Sequence, residues 1–136
     1  MVNLVLVSHS KKLAEGVAEI TRQMAGNGCK IAVAAGIDDL NNPIGTDATK
    51  IMAAIEEVYS SDGVIIFVDL GSAILSAETA IDLLDPEMAK NVVISYAALV
   101  EGAFAAAVSA SSGDSLQVVL AEANAAAGLK LEQADK

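Results

Sequence analysis

The sequence holds no tryptophan, two tyrosines and two phenylalanines. With so few aromatic side chains it offers no stacking platform for single-stranded nucleic acid. Cations are also scarce: eight Lys and Arg stand against 18 Asp and Glu, for a formal net charge of −10. Such a surface repels nucleic acid and anionic membranes, because binding phosphate backbones requires clustered Lys and Arg. It attracts basic protein surfaces instead. One cysteine, Cys29, cannot form an internal disulfide, so nothing points to an oxidising compartment. Lys30 beside it favours the thiolate, although Asn27 and Gly28 mark the position as a turn carrying an incidental thiol. With one histidine and no cysteine pair, a zinc centre is not expected. The start, MVNLVLVSHS, lacks the basic segment of a signal peptide. No window approaches the roughly 20 apolar residues that span a bilayer. A cytoplasmic location is expected. A Walker loop, a GxGxxG turn after the first strand and a nucleophile elbow are all missing.

What is present is a chain of 136 residues, 54% hydrophobic, with alanine supplying much of that share. The length suits one domain over residues 1–136 with a true core. No linker, internal repeat or low-complexity segment interrupts it. Short β-rich runs alternate with longer helical ones. Val2–Ser8, Lys30–Gly36, Val64–Leu70 and Val92–Ser95 read as strands. The third, VIIFVDL, is apolar throughout, as strands buried on both faces are. Helical spacing places Leu13, Val17, Ile20 and Met24 on one face after the first strand. It places Ala48, Ile51, Ile55 and Val58 together after the second, and Ala73, Ala77, Ala80, Ile81 and Leu84 after the third. Val100, Ala103, Phe104, Ala107 and Val108 follow the fourth. A last helix turns Leu116, Val119, Leu120, Ala123 and Ala127 inward, headed by an Asp114 capping box. Asp85-Pro86 opens a short turn, and the tail from Glu132 to Lys136 is expected to fray. Strand–helix units of this kind build an α/β fold, a parallel sheet with helices on both faces.

In such sheets ligands bind beyond the carboxyl ends of the strands. Ser8-His9-Ser10, Gly36 to Asp39, Asp69 to Ser72 and Ser95-Tyr96 all fall at that rim. His9, the only histidine, precedes a helix N-terminus, whose free N–H groups and partial positive charge suit a phosphoryl group. A free imidazole, with a pKa of roughly 6.5, is largely neutral and nucleophilic at neutral pH. On residues alone, His9 reads equally as a phosphoryl acceptor and as a structural rim residue. Asp69 can fix the imidazole tautomer by accepting a ring proton, or can simply serve its turn. Gly71 and Ser72 open the next helix with donors for phosphate oxygens. Thr46 reads first as a helix cap and second as a phosphate ligand. Asp38, Asp39 and Asp47 cluster without the spacing of a calcium loop, so no metal is expected.

VNLVLVSHS, AAGIDDLNNPIGTDATKI, VDLGSAILSAETAIDLL and LVEGAFAAAVSAS together resemble the mannose-type IIA domains of the sugar phosphotransferase system. Within that family they are most similar to the phosphotransferase subunits of PEP-dependent dihydroxyacetone kinases. The likeness runs from Val2 to about Ser112. It implies a four-stranded parallel sheet in the order 2-1-3-4 and a homodimer. It also implies a phosphohistidine at His9, loaded by the carrier protein HPr and discharged to ADP on the kinase subunit DhaL. The resulting ATP stays there and phosphorylates dihydroxyacetone on DhaK, so this chain itself needs no tightly bound cofactor. The carboxylate beside the histidine matches Asp69, while Ser10, Thr46, Gly71 and Ser72 fall in the surrounding loops. The chain ends before any fused HPr-like, enzyme I-like or IIB domain, so a separate HPr is expected. Three other readings compete: a IIA component of a sugar transporter, an aspartyl-phosphate receiver or small-molecule binder, and a non-catalytic interaction module. A receiver needs an acidic pair where Ser8-His9 stands.

Overall fold

All six residues of the first strand, β1 (Asn3–Ser8), are buried, because the sheet covers both edges of that strand and helices cover both its faces. In the computed structural model, which describes residues 1–134, four parallel strands form one sheet in the order β2-β1-β3-β4. They are β1, β2 (Ile31–Ala35), β3 (Val64–Val68) and β4 (Val92–Ser95). The expected parallel sheet and its order are thus borne out. Each strand starts or stops within two residues of its predicted limits.

Side chains alternate across the sheet, as the pleat requires. Leu4, Leu6, Ile65 and Phe67 face one layer of helices, α1 (Lys11–Ala25), α5 (Leu99–Ser111) and α6 (Leu116–Ala125). Val5, Val7, Val64, Ile66 and Val68 face the other, made by α2 (Ala48–Val58) and α3 (Gly71–Leu83). A short α4 (Pro86–Ala89), capped by Asp85 with Pro86 in its first turn, leads into β4. A 3₁₀ turn (Ala126–Gly128) and α7 (Leu129–Ala134) close the described chain. Of the tail expected to fray, Glu132 to Ala134 are helical, and the last two positions lie outside the described residues.

The inward faces of two helices differ from those that the large residues suggest. In α1 the buried stripe is Ala14, Val17, Ala18, Thr21 and Ala25, while Leu13, Ile20 and Met24 are about half exposed. In α5 it is Gly102, Ala103, Ala106, Ala107, Ser109 and Ala110, with Val100 and Val108 exposed and Phe104 only partly buried. Small side chains let these helices lie close to the sheet, so the larger residues are pushed to the flanks. At Gly102 a Cβ would come within 2.7 Å of Ala97 Cβ and 3.2 Å of the Phe67 ring, so α5 rests directly on β3. In α6 Val119 and Ala123 are buried, the half-buried Leu116 and Leu120 pack against the same core as expected, and Ala126 rather than Ala127 continues the stripe. Its cap is Ser115, which accepts from Val118 N–H, while Asp114 accepts from Ser109.

Strand order reverses between β1 and β3, since the chain passes from β1 out to β2 and then back to β3. The crevice beyond the carboxyl ends of β1 and β3 is therefore the place where this topology receives ligands.

Candidate phosphoryl-transfer site

His9 follows the last residue of β1, and Asp69 follows the last residue of β3. Because the two strands are neighbours with Val7 opposite Val68, these two side chains meet across the crevice. The His9 ring nitrogen Nδ1 lies 2.9 Å from Asp69 Oδ1. A carboxylate only accepts, so Nδ1 carries the proton and the lone pair resides on Nε2. Nε2 turns toward the first turn of α3, where it is hydrogen-bonded to Ser72 Oγ. The N-cap of α3, Leu70, has no side-chain bond to the helix N–H groups, so that turn keeps free backbone donors and the positive end of the helix dipole.

Asp69 is tied down on every side. Its Oδ2 accepts from Ser8 Oγ at 2.8 Å and from the His9 backbone N–H at 3.0 Å. Its Oδ1 accepts from His9 Nδ1 and from Leu70 N–H at 2.7 Å. Burial raises the Asp69 carboxyl, but the donors from the His9 backbone, Ser8, the His9 ring and Leu70 outweigh it and hold its pKa below the usual carboxylate value.

The His9 backbone is fixed as firmly as its ring. Its carbonyl accepts from Gly45 N–H at 3.0 Å, which anchors the loop between β2 and α2. Gly36, at φ 70°, turns the chain out of β2 into that loop and donates to the Ser8 carbonyl. A side chain there would press against the Pro43 carbonyl. Thr46 Oγ1 then hydrogen-bonds Ser76 Oγ at 2.7 Å and pins the loop to α3.

The residues singled out from sequence divide accordingly. His9, Asp69 and Ser72 come together, with Gly71 exposed beside them at the start of α3. Ser10 caps α1 by accepting from Leu13 N–H. Thr46 is not the cap of α2. Asp47 fills that role, accepting from Thr49 N–H at 2.8 Å, because the hydroxyl one residue earlier is drawn to Ser76. Asp38 pairs with Lys50, and Asp39 accepts from Asn41 N–H and Asn42 N–H. No set of His, Cys, Asp and Glu able to hold a metal occurs among the described residues. Cys29 is buried, and burial pushes its thiol up to about 11, against the thiolate that Lys30 suggested. Two contributors were not assigned roles from sequence. Ser8 is the hydroxyl that follows the aliphatic run Leu4 to Val7 at the end of β1, and Ser76 lies one helical turn after Ser72, on the same side of α3.

A parallel α/β domain with an imidazole–carboxylate pair at the switch between β1 and β3 defines a class, and the comparison agrees. The chain belongs to the EIIA-man family, whose model, described as PTS system fructose IIA component, matches residues 3–120. Over 134 residues it is 57% identical to the phosphoryl donor subunit DhaM of the PEP-dependent dihydroxyacetone kinase of Escherichia coli (strain K12); the match covers 98% of this chain but 28% of that relative. It is 43% identical to the phosphoryl donor subunit DhaM of the PEP-dependent dihydroxyacetone kinase 2 of Listeria innocua serovar 6a, covering 90% of this chain and 96% of the relative. A crystal structure of a protein of unknown function, EF1359, superposes with a TM-score of 0.79 at 41% identity, covering 90% of this chain and 92% of the other. The resemblance read from the strand-end motifs is thereby borne out. Among the described residues no helix is long and apolar enough to cross a membrane.

Proposed function

We propose that this chain is the IIA-type phosphoryl carrier of a PEP-dependent dihydroxyacetone kinase, loaded by HPr and discharged to ADP on the DhaL subunit. The reading is supported above all by one observation: the only histidine has Nδ1 held by Asp69 and Nε2 aimed at an uncapped helix N-terminus. In the first step the Nε2 lone pair attacks phosphorus of the donor phosphohistidine in line. The N–P bond of the donor breaks and its electron pair returns to the donor ring. Ser72 gives up its bond to Nε2 as phosphorus arrives, and its hydroxyl is then free to donate to a phosphoryl oxygen, together with the first N–H groups of α3. The loaded ring, substituted at Nε2 and protonated at Nδ1, is cationic, and the Asp69 carboxylate stabilises it. In the second step a terminal phosphate oxygen of ADP attacks phosphorus, the Nε2–P bond breaks, and neutral imidazole leaves. Positioning and charge do the work, as phosphoryl transfer demands. Gly71 adds room, since a Cβ there would touch no atom of the chain. The carrier acts in the cytoplasm, as a homodimer, with no tightly bound cofactor of its own; DhaK is reached only through DhaL.

The test is transfer from labelled PEP through enzyme I and HPr. The wild type is expected to gain an acid-labile, base-stable phosphoryl group and His9→Ala none. Labelling that persists in His9→Ala, or that is lost in base as an acyl phosphate is, would rule the site out. The family model is described as a PTS system fructose IIA component, which supports a second reading, a IIA component of a sugar transporter, whose acceptor would be a IIB domain. Offering the loaded protein ADP-bound DhaL and a IIB domain in parallel separates the two, with ATP formation expected from the first.

A further inference from the structure

Ser8 is fully buried at the tip of β1, after the four aliphatic residues Leu4 to Val7. A hydroxyl in that position is costly unless both its proton and a lone pair are used. Both are used. Its oxygen accepts from the Ser10 N–H at 3.0 Å and its proton goes to Asp69 Oδ2 at 2.8 Å. Direction is settled, because the amide can only donate and the carboxylate can only accept. The two oxygens of Asp69 are thereby divided: Oδ2 is occupied by Ser8 and the His9 backbone, and Oδ1 is left to the imidazole and Leu70 N–H.

We propose that Ser8 is a positioning residue for phosphoryl transfer: its hydroxyl locks the Asp69 carboxylate in the rotation that keeps the proton of His9 on Nδ1 and the lone pair on Nε2. The inference rests on the phosphohistidine reading above and adds a group that never meets phosphorus. Remove the hydroxyl, and Asp69 keeps one side-chain and two backbone donors, all from His9 and Leu70. The carboxylate then loses its only donor from within a strand, and Oδ2 is left to the His9 backbone N–H alone. At the same time the Ser10 N–H, in the turn that starts α1, loses its acceptor. One hydroxyl thus couples the orienting carboxylate to the residue that caps the helix after His9.

The experiment compares wild type, Ser8→Ala and Ser8→Thr. Ring ¹⁵N NMR of the unphosphorylated full chain, at a pH where His9 is neutral, reads the tautomer. Single-turnover transfer from phosphorylated HPr reads the rate. The wild type is expected to hold the Nδ1–H form. Ser8→Ala is expected to show a mixture of tautomers and a maximal rate about ten- to a hundredfold lower, the scale of one hydrogen bond to a charged acceptor. Half-saturation by HPr should stay unchanged, because a buried side chain cannot touch the partner. Ser8→Thr, which restores the hydroxyl on a strand that accepts β-branched residues, should recover both readouts. A wild-type tautomer and full rate in a folded Ser8→Ala protein would overturn the role of Ser8, as would a folded Ser8→Thr that behaves like Ala. A wild type that takes no phosphoryl group would instead overturn the phosphohistidine reading, whatever the NMR of the variants.

Discussion

Asp69 illustrates how one residue can serve both folding and chemistry. Its folded-state carboxyl titrates below the ordinary value. The ionised form therefore stabilises the fold at any pH above the unfolded carboxylate value of about 3.9, and this contribution fades as pH falls through the lower folded-state value. Asp69→Asn keeps the shape but offers an amide NH₂ where the ring and backbone donors expect oxygen. We expect the stability gap between wild type and Asp69→Asn, measured by urea unfolding, to be widest near neutral pH. It should narrow as the pH drops below about 4. The same substitution should slow phosphoryl transfer by about two to three orders of magnitude, as befits a group that sets the protonation of a nucleophile. A gap independent of pH would remove the electrostatic account. At this scale the sequence was legible where function concentrates. A lone histidine and an aspartate at adjacent strand tips can be placed without coordinates, and the structure puts them in contact. Ser8 and Gly45 were not assignable, because their roles depend on which atom of Asp69 or His9 they reach, and spacing carries no such information.

Elements were legible in kind and misread in orientation. Periodicity identified a helix after every strand, but it weights large apolar residues. Here the close approach of helix to sheet reverses that weighting: alanines and Gly102 occupy the interface, and Leu13, Ile20 and Met24 of α1 are displaced outward. This makes a pair of opposed predictions. Gly102→Ala gains about 1 kcal/mol of helix propensity but forces a methyl group into contact with Ala97 and Phe67, an overpacking that costs about 1–3 kcal/mol. A lower melting temperature is expected. Ile20→Ser, on the half-exposed flank of α1, should change stability by less than about 1 kcal/mol. Calorimetry decides, and a stabilised Gly102→Ala protein would show that α5 can lift off β3 freely. Helix caps were also displaced by one residue, from Thr46 to Asp47 and from Asp114 to Ser115. Neighbouring polar residues compete for a cap, and tertiary partners such as Ser76 and Ser109 settle the choice.

At the level of the whole molecule, topology and charge act together. The order β2-β1-β3-β4 sets His9 and Asp69 at the tips of adjacent strands, and the chain as a whole carries a formal net charge of −10. An acidic surface gains encounter rate with basic partner surfaces, and salt screens that attraction over a Debye length of about 8–10 Å. With HPr limiting, the second-order rate of loading should therefore fall as ionic strength rises, while the single-turnover maximum stays level. A salt-independent loading rate would assign no steering role to the charge.

The double anchoring of the His9 main chain, by Asp69 on its amide and Gly45 on its carbonyl, has a consequence for how partners tell a charged carrier from a spent one. With the backbone held at both ends, little can shift when phosphorus comes or goes except the Ser72 hydroxyl. Under the proposed phosphohistidine role, the loaded and unloaded forms are then expected to share nearly the same contour, so that the negative charges of the cargo itself would be the main cue for a docking protein.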